Sequence, residues 1–201
     1  FGLPSFHVDM ETWQAWAVRL IEVGPGNFYS ENFFSDYFPG YLYFLWIFGE
    51  IYNLVFPNLP FNTFLFEAFI KLTTTFFDLA TAFYIFKIVS KYQKPLSYLS
   101  ILFYLANPAL IFNSSVWGQV DGVFTFFLVF GIYSLIETKN LINSILSLAF
   151  AILIKPQGLA ILPTILKKYN RIFFLPLGLF LRSITLFPNG IFGLVKMGFK
   201  L

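Results

Sequence analysis

The sequence has no cysteine and a single histidine, His7. Disulfides and thiolate metal sites are thereby excluded. Any bound metal would need oxygen ligands, which points to Mg²⁺ or Mn²⁺ rather than Zn²⁺. Charge is also scarce: Asp, Glu, Lys and Arg make up 11% of the chain, against roughly a quarter in soluble domains. Carboxylates are missing altogether after Glu137, and five of the ten (Asp9, Glu11, Glu22, Glu31 and Asp36) precede Tyr37. The net charge of +3 and pI near 9.0 are too modest to suggest a nucleic-acid partner.

What fills the chain instead is apolar: 58% of the 201 residues are hydrophobic, thirty of them Phe, and the mean hydropathy is +0.73. The apolar runs are continuous rather than alternating, which argues against barrel strands. In lipid the remaining way to satisfy the backbone is the helix. The expected fold is therefore all-α, a polytopic transmembrane helical bundle, with residues 1–201 forming a single module. The chain opens on loop-like residues (Gly2, Pro4, Ser5) without a visible leader. It reads as part of a longer protein with at least one preceding helix.

Residues 11–22 place Trp13, Trp16, Ala17 and Leu20 on one helical face. Two Trp on a short amphipathic helix suit the membrane interface. Gly24-Pro25-Gly26 ends that helix, and polar loop follows to Gly40. Residues 40–56 are apolar but short, and carry Gly49 and Glu50, so a half-inserted or horizontal helix is expected. Spanning segments are expected at 64–90, 96–116, 120–136, 141–166 (interrupted at Lys155-Pro156-Gln157) and 172–188. Residues 64–188 are thus the membrane helices and 1–39 an outer loop.

Short cationic loops stay cytoplasmic. Lys91 with Lys94, Lys139, and Lys167 with Lys168 and Arg171 form three such loops. The acidic first loop, the stretch 113–121 and the Lys155 turn then converge on the external face.

That stretch is where polar side chains concentrate: Asn107-Pro108, then Asn113-Ser114-Ser115-Val116-Trp117-Gly118-Gln119-Val120-Asp121. Polar groups at membrane depth persist where they line a cavity or do chemistry. In 64–90, Glu67, Lys71, Thr74 and Asp78 stack on one face, and Glu67 and Lys71 can pair. A hydrogen-bond network tying helices together and contact with a lipid phosphate are both open readings of this row. Lys155, followed by helix-breaking Pro156, reads as an anion contact over a snorkelling cation. His7 reads as a solvated loop residue. Asp9 and Glu11 could chelate a divalent ion. Asn113-Ser114-Ser115 fits a glycosylation acceptor, discounted because it abuts a helix.

In order, the chain shows a carboxylate at Asp9, Trp13-x-x-Trp16-Ala17, Asp36-Tyr37-Phe38-Pro39-Gly40, Lys71 with Asp78, Asn107-Pro108, Trp117-Gly118-Gln119-Val120-Asp121, and Lys155-Pro156-Gln157. This series resembles the integral-membrane glycosyltransferases of the GT-C fold, in particular prokaryotic mannosyltransferase-like proteins that use polyprenyl-phosphate sugars. The likeness covers roughly residues 7–165. It departs at Phe38, where the family carries Pro, and in length, so this fragment is not expected to hold every acceptor-binding residue.

The resemblance implies an inverting transfer of a hexose, with mannose expected, from a polyprenyl-phosphate donor to a lipid or glycan acceptor at the external face. The source it implies is a prokaryotic cytoplasmic membrane. It assigns Asp9 as catalytic base and Lys155 to the leaving phosphate. Asp36, Tyr37, Trp117, Gln119, Asp121 and Gln157 go to substrate binding, and Lys71 and Asp78 to support. Any metal would lie at Asp9 and Glu11. The competing reading is a transporter or flippase, with Glu67, Lys71 and Asp78 as an ion path. A second interrupted helix, which transporters often pair with the first, is not visible. A non-catalytic scaffold would leave the polar stretch unexplained.

Overall fold

The computed structural model of the chain describes residues 7–30 and 33–161, with Pro163 and Gly178 besides. Glu31, residues 162 and 164–166 of the expected 141–166 segment, the loop at Lys167, Lys168 and Arg171, and the 172–188 segment apart from Gly178 lie outside the described residues. The chain is all-helical. Among the described residues the one β-type pairing is an isolated bridge, Ser30 to Phe33.

Among the described residues seven helices follow one another: α1 His7–Val23, α2 Pro39–Val55, α3 Phe64–Tyr92, α4 Ser97–Leu105, α5 Pro108–Ile111, α6 Asp121–Ile136 and α7 Leu141–Ile154. A π-helical turn, Phe112–Trp117, continues α5, and a 3₁₀ turn, Pro156–Ile161, follows α7. α3 is long and apolar enough to cross a membrane. The run Lys94–Leu105 and the run Pro108–Trp117 make a second span if taken together, bent by 46°. α6 and α7 are apolar but shorter.

Local chemistry explains the boundaries. Thr63 caps α3 by accepting from the Phe66 amide, and Asn140 caps α7 by accepting from Asn143 at 3.0 Å. The segment expected to run unbroken over 96–116 is divided at Ala106-Asn107. Asn107 accepts from the Ala109 amide at 2.9 Å and Pro108 occupies the first helical position, so a new helix starts there. The first helix begins earlier than the Trp periodicity indicates. His7 and Asp9 are helical rather than loop residues, and Asp9 stands in the first turn, where the helix dipole favours a carboxylate.

The Trp face of α1, expected in the membrane interface, is instead buried in the protein. Trp13, Trp16, Ala17 and Leu20 are all at most 2% exposed, packed chiefly on α2. A buried indole N–H needs a partner. Trp16 finds one in the Phe34 carbonyl, at 3.1 Å. Arg19 draws the following loop back by donating to the Phe28 carbonyl and to Ser30, with its guanidinium 4.3 Å from the centre of the Phe33 ring. Tyr29 donates to the Tyr37 carbonyl at 2.7 Å, which sets Tyr37 beside α1.

α3 packs on α4 and α6, α6 on α7, and α7 on α2. At one end of the bundle Lys91 pairs with Glu137, which also accepts from the Tyr92 hydroxyl at 2.9 Å. The Lys91 hydrogen bond is the main influence holding the Glu137 carboxyl below its ordinary range. Two of the cationic loops therefore share that end. Twenty residues back along α3, Lys71 pairs with Glu67 at 2.6 Å, as the row spacing anticipates. At the helical rise, the two ion pairs stand about 30 Å apart.

The α2–α7 contact depends on Gly40. A Cβ there would stand 2.5 Å from the Leu153 carbonyl carbon and 2.7 Å from the Ile154 nitrogen, both backbone atoms that cannot turn aside. Gly40→Ala should lower stability by about 1–3 kcal/mol. Gly26→Ala, with nothing within 4 Å of its added carbon, serves as control. Thermal unfolding in detergent, read by circular dichroism, checks the difference, and equal midpoints for the two variants would contradict the packing described.

Candidate functional site

The carboxylate of Asp9 meets the loop 113–121. Asp9 Oδ2 accepts from Trp117 Nε1 at 2.7 Å and from Gln119 Nε2 at 3.0 Å, residues 108 and 110 positions away. Gln119 in turn accepts, through Oε1, from the Tyr37 hydroxyl at 3.1 Å. Both hydrogen bonds fall on one oxygen of Asp9. Among the described residues Oδ1 carries none.

The loop that presents these donors is held from within. The π-helical turn ends on Gly118, whose φ of +82° is left-handed, and the Gln119 amide donates to the Asn113 carbonyl at 3.0 Å. Only glycine adopts that φ readily. Space is tight as well: an added Cβ would stand 3.0 Å from Met10 Cε and 3.2 Å from Lys71 Cγ, so those side chains would have to give way. Asn113 also donates through Nδ2 to Asp121 Oδ2 at 3.1 Å. The amide that sequence inspection discounts as a glycosylation acceptor is thus committed to the loop.

Asp121 opens α6, and its other oxygen pairs with Lys155. Lys155 caps α7 in extended conformation (φ −140°, ψ 128°), because Pro156 cannot continue the helix. The anion that Lys155 meets is thus the chain's own Asp121, where a lipid phosphate was expected. Lys155 is 21% exposed on its side chain and Asp121 39%, so the pair faces the surroundings on one side.

Four of the expected substrate-binding residues, Tyr37, Trp117, Gln119 and Asp121, therefore come together with Asp9 and Lys155. Asp36 and Gln157 are exposed and join no hydrogen bond in this network, although the Asp36 charge is felt at Tyr37. Lys71 touches the loop at Gly118. Asp78 is buried deeper, against α6 at Gly122, with the Tyr104 hydroxyl 3.5 Å away. Glu11 does not join Asp9 as a chelating pair. Two residues apart on a helix, the side chains diverge. Glu11 lines a separate cavity with Gln14 and Asn62. Among the described residues no group of three or more His, Asp or Glu side chains is arranged to hold a metal.

Sequence inspection passes over Asn113, Met10 and Gly118 as structural partners. Gly118 could be suspected from Trp-Gly-Gln, since a glycine between two side chains that converge on one carboxylate commonly marks a reversing backbone. The two Asn113 bonds carry no sequence signal.

The chain matches no family model, no curated protein and no solved structure. Its chemistry has to be read from the site and from the motif likeness alone.

Tyr37 gives the site a testable electrostatic signature. Burial, then the carboxylates of Asp121, Asp36 and Asp9, push its phenol well above the ordinary value of 10.0. A folded value above the unfolded one means that the neutral, hydrogen-bonded form contributes stability below pH 10, lost only as pH rises through the higher folded value. In an alkaline absorbance titration, wild type minus Tyr37→Phe should show no tyrosinate step near pH 10. A phenol lost from the difference curve at or below that pH would contradict the placement.

Proposed function

We propose that this protein is a multi-pass membrane glycosyltransferase. It transfers a hexose from a polyprenyl-phosphate donor to an acceptor hydroxyl at the external membrane face, with inversion. The single observation that carries the reading is the Asp9 carboxylate held by Trp117 and Gln119, with its second oxygen left for a substrate.

The chemistry follows from that arrangement. The acceptor hydroxyl gives its proton to Asp9 Oδ1 as its oxygen bonds the anomeric carbon. The bond from that carbon to the phosphate oxygen breaks, and its electron pair leaves with the polyprenyl phosphate. Proton acceptance by a positioned carboxylate contributes on the order of 10² to 10⁴ in rate. Trp117 and Gln119 fix the carboxylate, so the base does not have to be oriented at the moment of reaction. Asp121, oriented by Asn113 and Lys155, offers its oxygens to sugar hydroxyls. The growing phosphate charge needs cations nearby, and Lys155 and Lys71 flank the loop on its two sides.

Orientation is part of the reading. The loop 113–121 stands at the Lys71 end of α3, remote from the Lys91 and Lys139 loops that the positive-inside tendency keeps cytoplasmic. Hexose is proposed on the motif likeness, with mannose as the expected sugar. The exposed Phe, Leu and Ile side chains along the described helices suit a lipid environment.

In the full-length protein, Asp9→Asn should lower transfer of labelled hexose from a polyprenyl-phosphate donor by about 10² or more while leaving donor binding little changed. Glu22→Gln, which removes an exposed carboxylate near the far end of α1, should have a far smaller effect. Transfer by Asp9→Asn at the wild-type rate would remove Asp9 from the chemistry.

A further inference from the structure

At the Lys91 end of α3 cations outnumber carboxylates. Lys87, Lys91, Lys94 and Lys139 stand at or beside that end, against Glu137. Glu137 is spent on Lys91 and on the Tyr92 hydroxyl. Among the described residues Lys87, Lys94 and Lys139 pair with no carboxylate.

Lys87 differs from the other two in having a built surface beneath it. Its ammonium lies 4.6 Å from the centre of the Phe83 ring and 5.8 Å from the centres of the Tyr84 and Tyr133 rings. Tyr84 on α3 and Tyr133 on α6 pack with ring centres 5.0 Å apart, and Phe130 continues the wall at 5.0 Å from Tyr84. Ring faces attract the ammonium without consuming its three protons, which stay free for an oxygen acceptor. Neither phenol hydroxyl donates to a described residue, and neither is sealed from the surroundings.

Apolar surface leads away from this cation on one side. Leu72, Phe76, Leu79 and Phe83 are exposed at spacings of four, three and four residues, and Lys87 follows four further on. That spacing makes one stripe along α3, ending on a charge. Lys87 stands one turn inside Lys91, about 6 Å by helical rise. Its long stem lets the ammonium reach the boundary of the hydrocarbon core.

An occupant of this surface needs an anionic oxygen cluster at the boundary and apolar chains running inward. We infer that Lys87, with the Tyr84 and Tyr133 hydroxyls, binds the headgroup phosphate of an anionic phospholipid, its acyl chains lying against the α3 stripe. The inference rests on the membrane orientation given above, in which this leaflet is the cytoplasmic one and carries anionic lipid. It does not rest on sugar transfer. Lys87 is also remote from the Asp9 site, sixteen positions or about 24 Å along α3 from Lys71.

The test is equilibrium binding of phosphatidylglycerol to the full chain in detergent at physiological ionic strength, read by native mass spectrometry. Phosphatidylcholine with the same acyl chains, whose choline offsets the phosphate charge, is run in parallel. Phosphatidylglycerol should bind about tenfold tighter, the scale of one hydrogen bond to a charged group. Lys87→Gln should abolish that preference, and Lys87→Arg, which keeps the charge, should retain most of it. The double variant Tyr84→Phe/Tyr133→Phe should lose about threefold in phosphatidylglycerol affinity. Circular dichroism checks that each variant is folded. Lys94→Gln removes another exposed cation from the same end. Exposed charges more than about 8 Å apart are screened at this ionic strength, so its effect should stay below about twofold. A millimolar excess of sn-glycerol 3-phosphate should leave the lipid bound. A preference that is absent from wild type or survives Lys87→Gln would overturn the assignment. So would an equal loss from Lys94→Gln, no loss from the double Tyr variant, or displacement by glycerol phosphate. No transfer is measured, so an inactive protein that binds in this way still supports the lipid site. An active protein that does not bind loses this site alone.

Discussion

Two N–H donors on one carboxylate oxygen join the first helix to the loop 113–121. Without the Trp117 and Gln119 bonds to Asp9, α1 and the 113–121 loop would share only packing through Met10 and its neighbours. Hydrogen bonds to an ionised group are about twice as strong as neutral ones, and a half-buried carboxylate left without partners is costly. The constraint runs outward from there. Gly118 must be left-handed for both side chains to reach the same oxygen, Asn113 must close the turn, and Tyr37 must arrive from the other side through Tyr29 and Arg19.

Charge in this chain is rationed by pairing. Lys71 with Glu67, Lys91 with Glu137 and Lys155 with Asp121 each neutralise a cation with a carboxylate. In an apolar setting an isolated charge is expensive and a paired one tolerable. The Lys71 and Lys91 pairs stand about 30 Å apart along α3 by helical rise, about the thickness of a hydrocarbon core. Asp9 differs: it is held by neutral donors rather than by a cation.

Much of the helical framework was legible because it follows from local signals. The apolar run of α3, the break at Pro156 and a helix beginning near 120 needed no tertiary information. The Asn107-Pro108 break was equally visible, but the apolar residues on either side masked it. The Trp13–Trp16 face was read as an interfacial one and is buried against the protein, since periodicity reports a buried side without saying what buries it. Gathering Tyr37, Trp117, Gln119, Asp121 and Lys155 around Asp9 came from motif order. The pairing of Lys155 with Asp121, and the divergence of Glu11 from Asp9, could not, because both depend on helix phase and on how α7 meets α6.

The most direct measurement of the central contact is a double-mutant cycle on unfolding, using Asp9→Ala, Gln119→Ala and the double variant in the same detergent. For a hydrogen bond to a charged group the coupling should be about 1.5–3 kcal/mol, with the double variant losing less than the sum of the singles. Additive losses, with coupling indistinguishable from zero, would mean that Asp9 is not docked on the 113–121 loop, and the site built on that contact would fall with it.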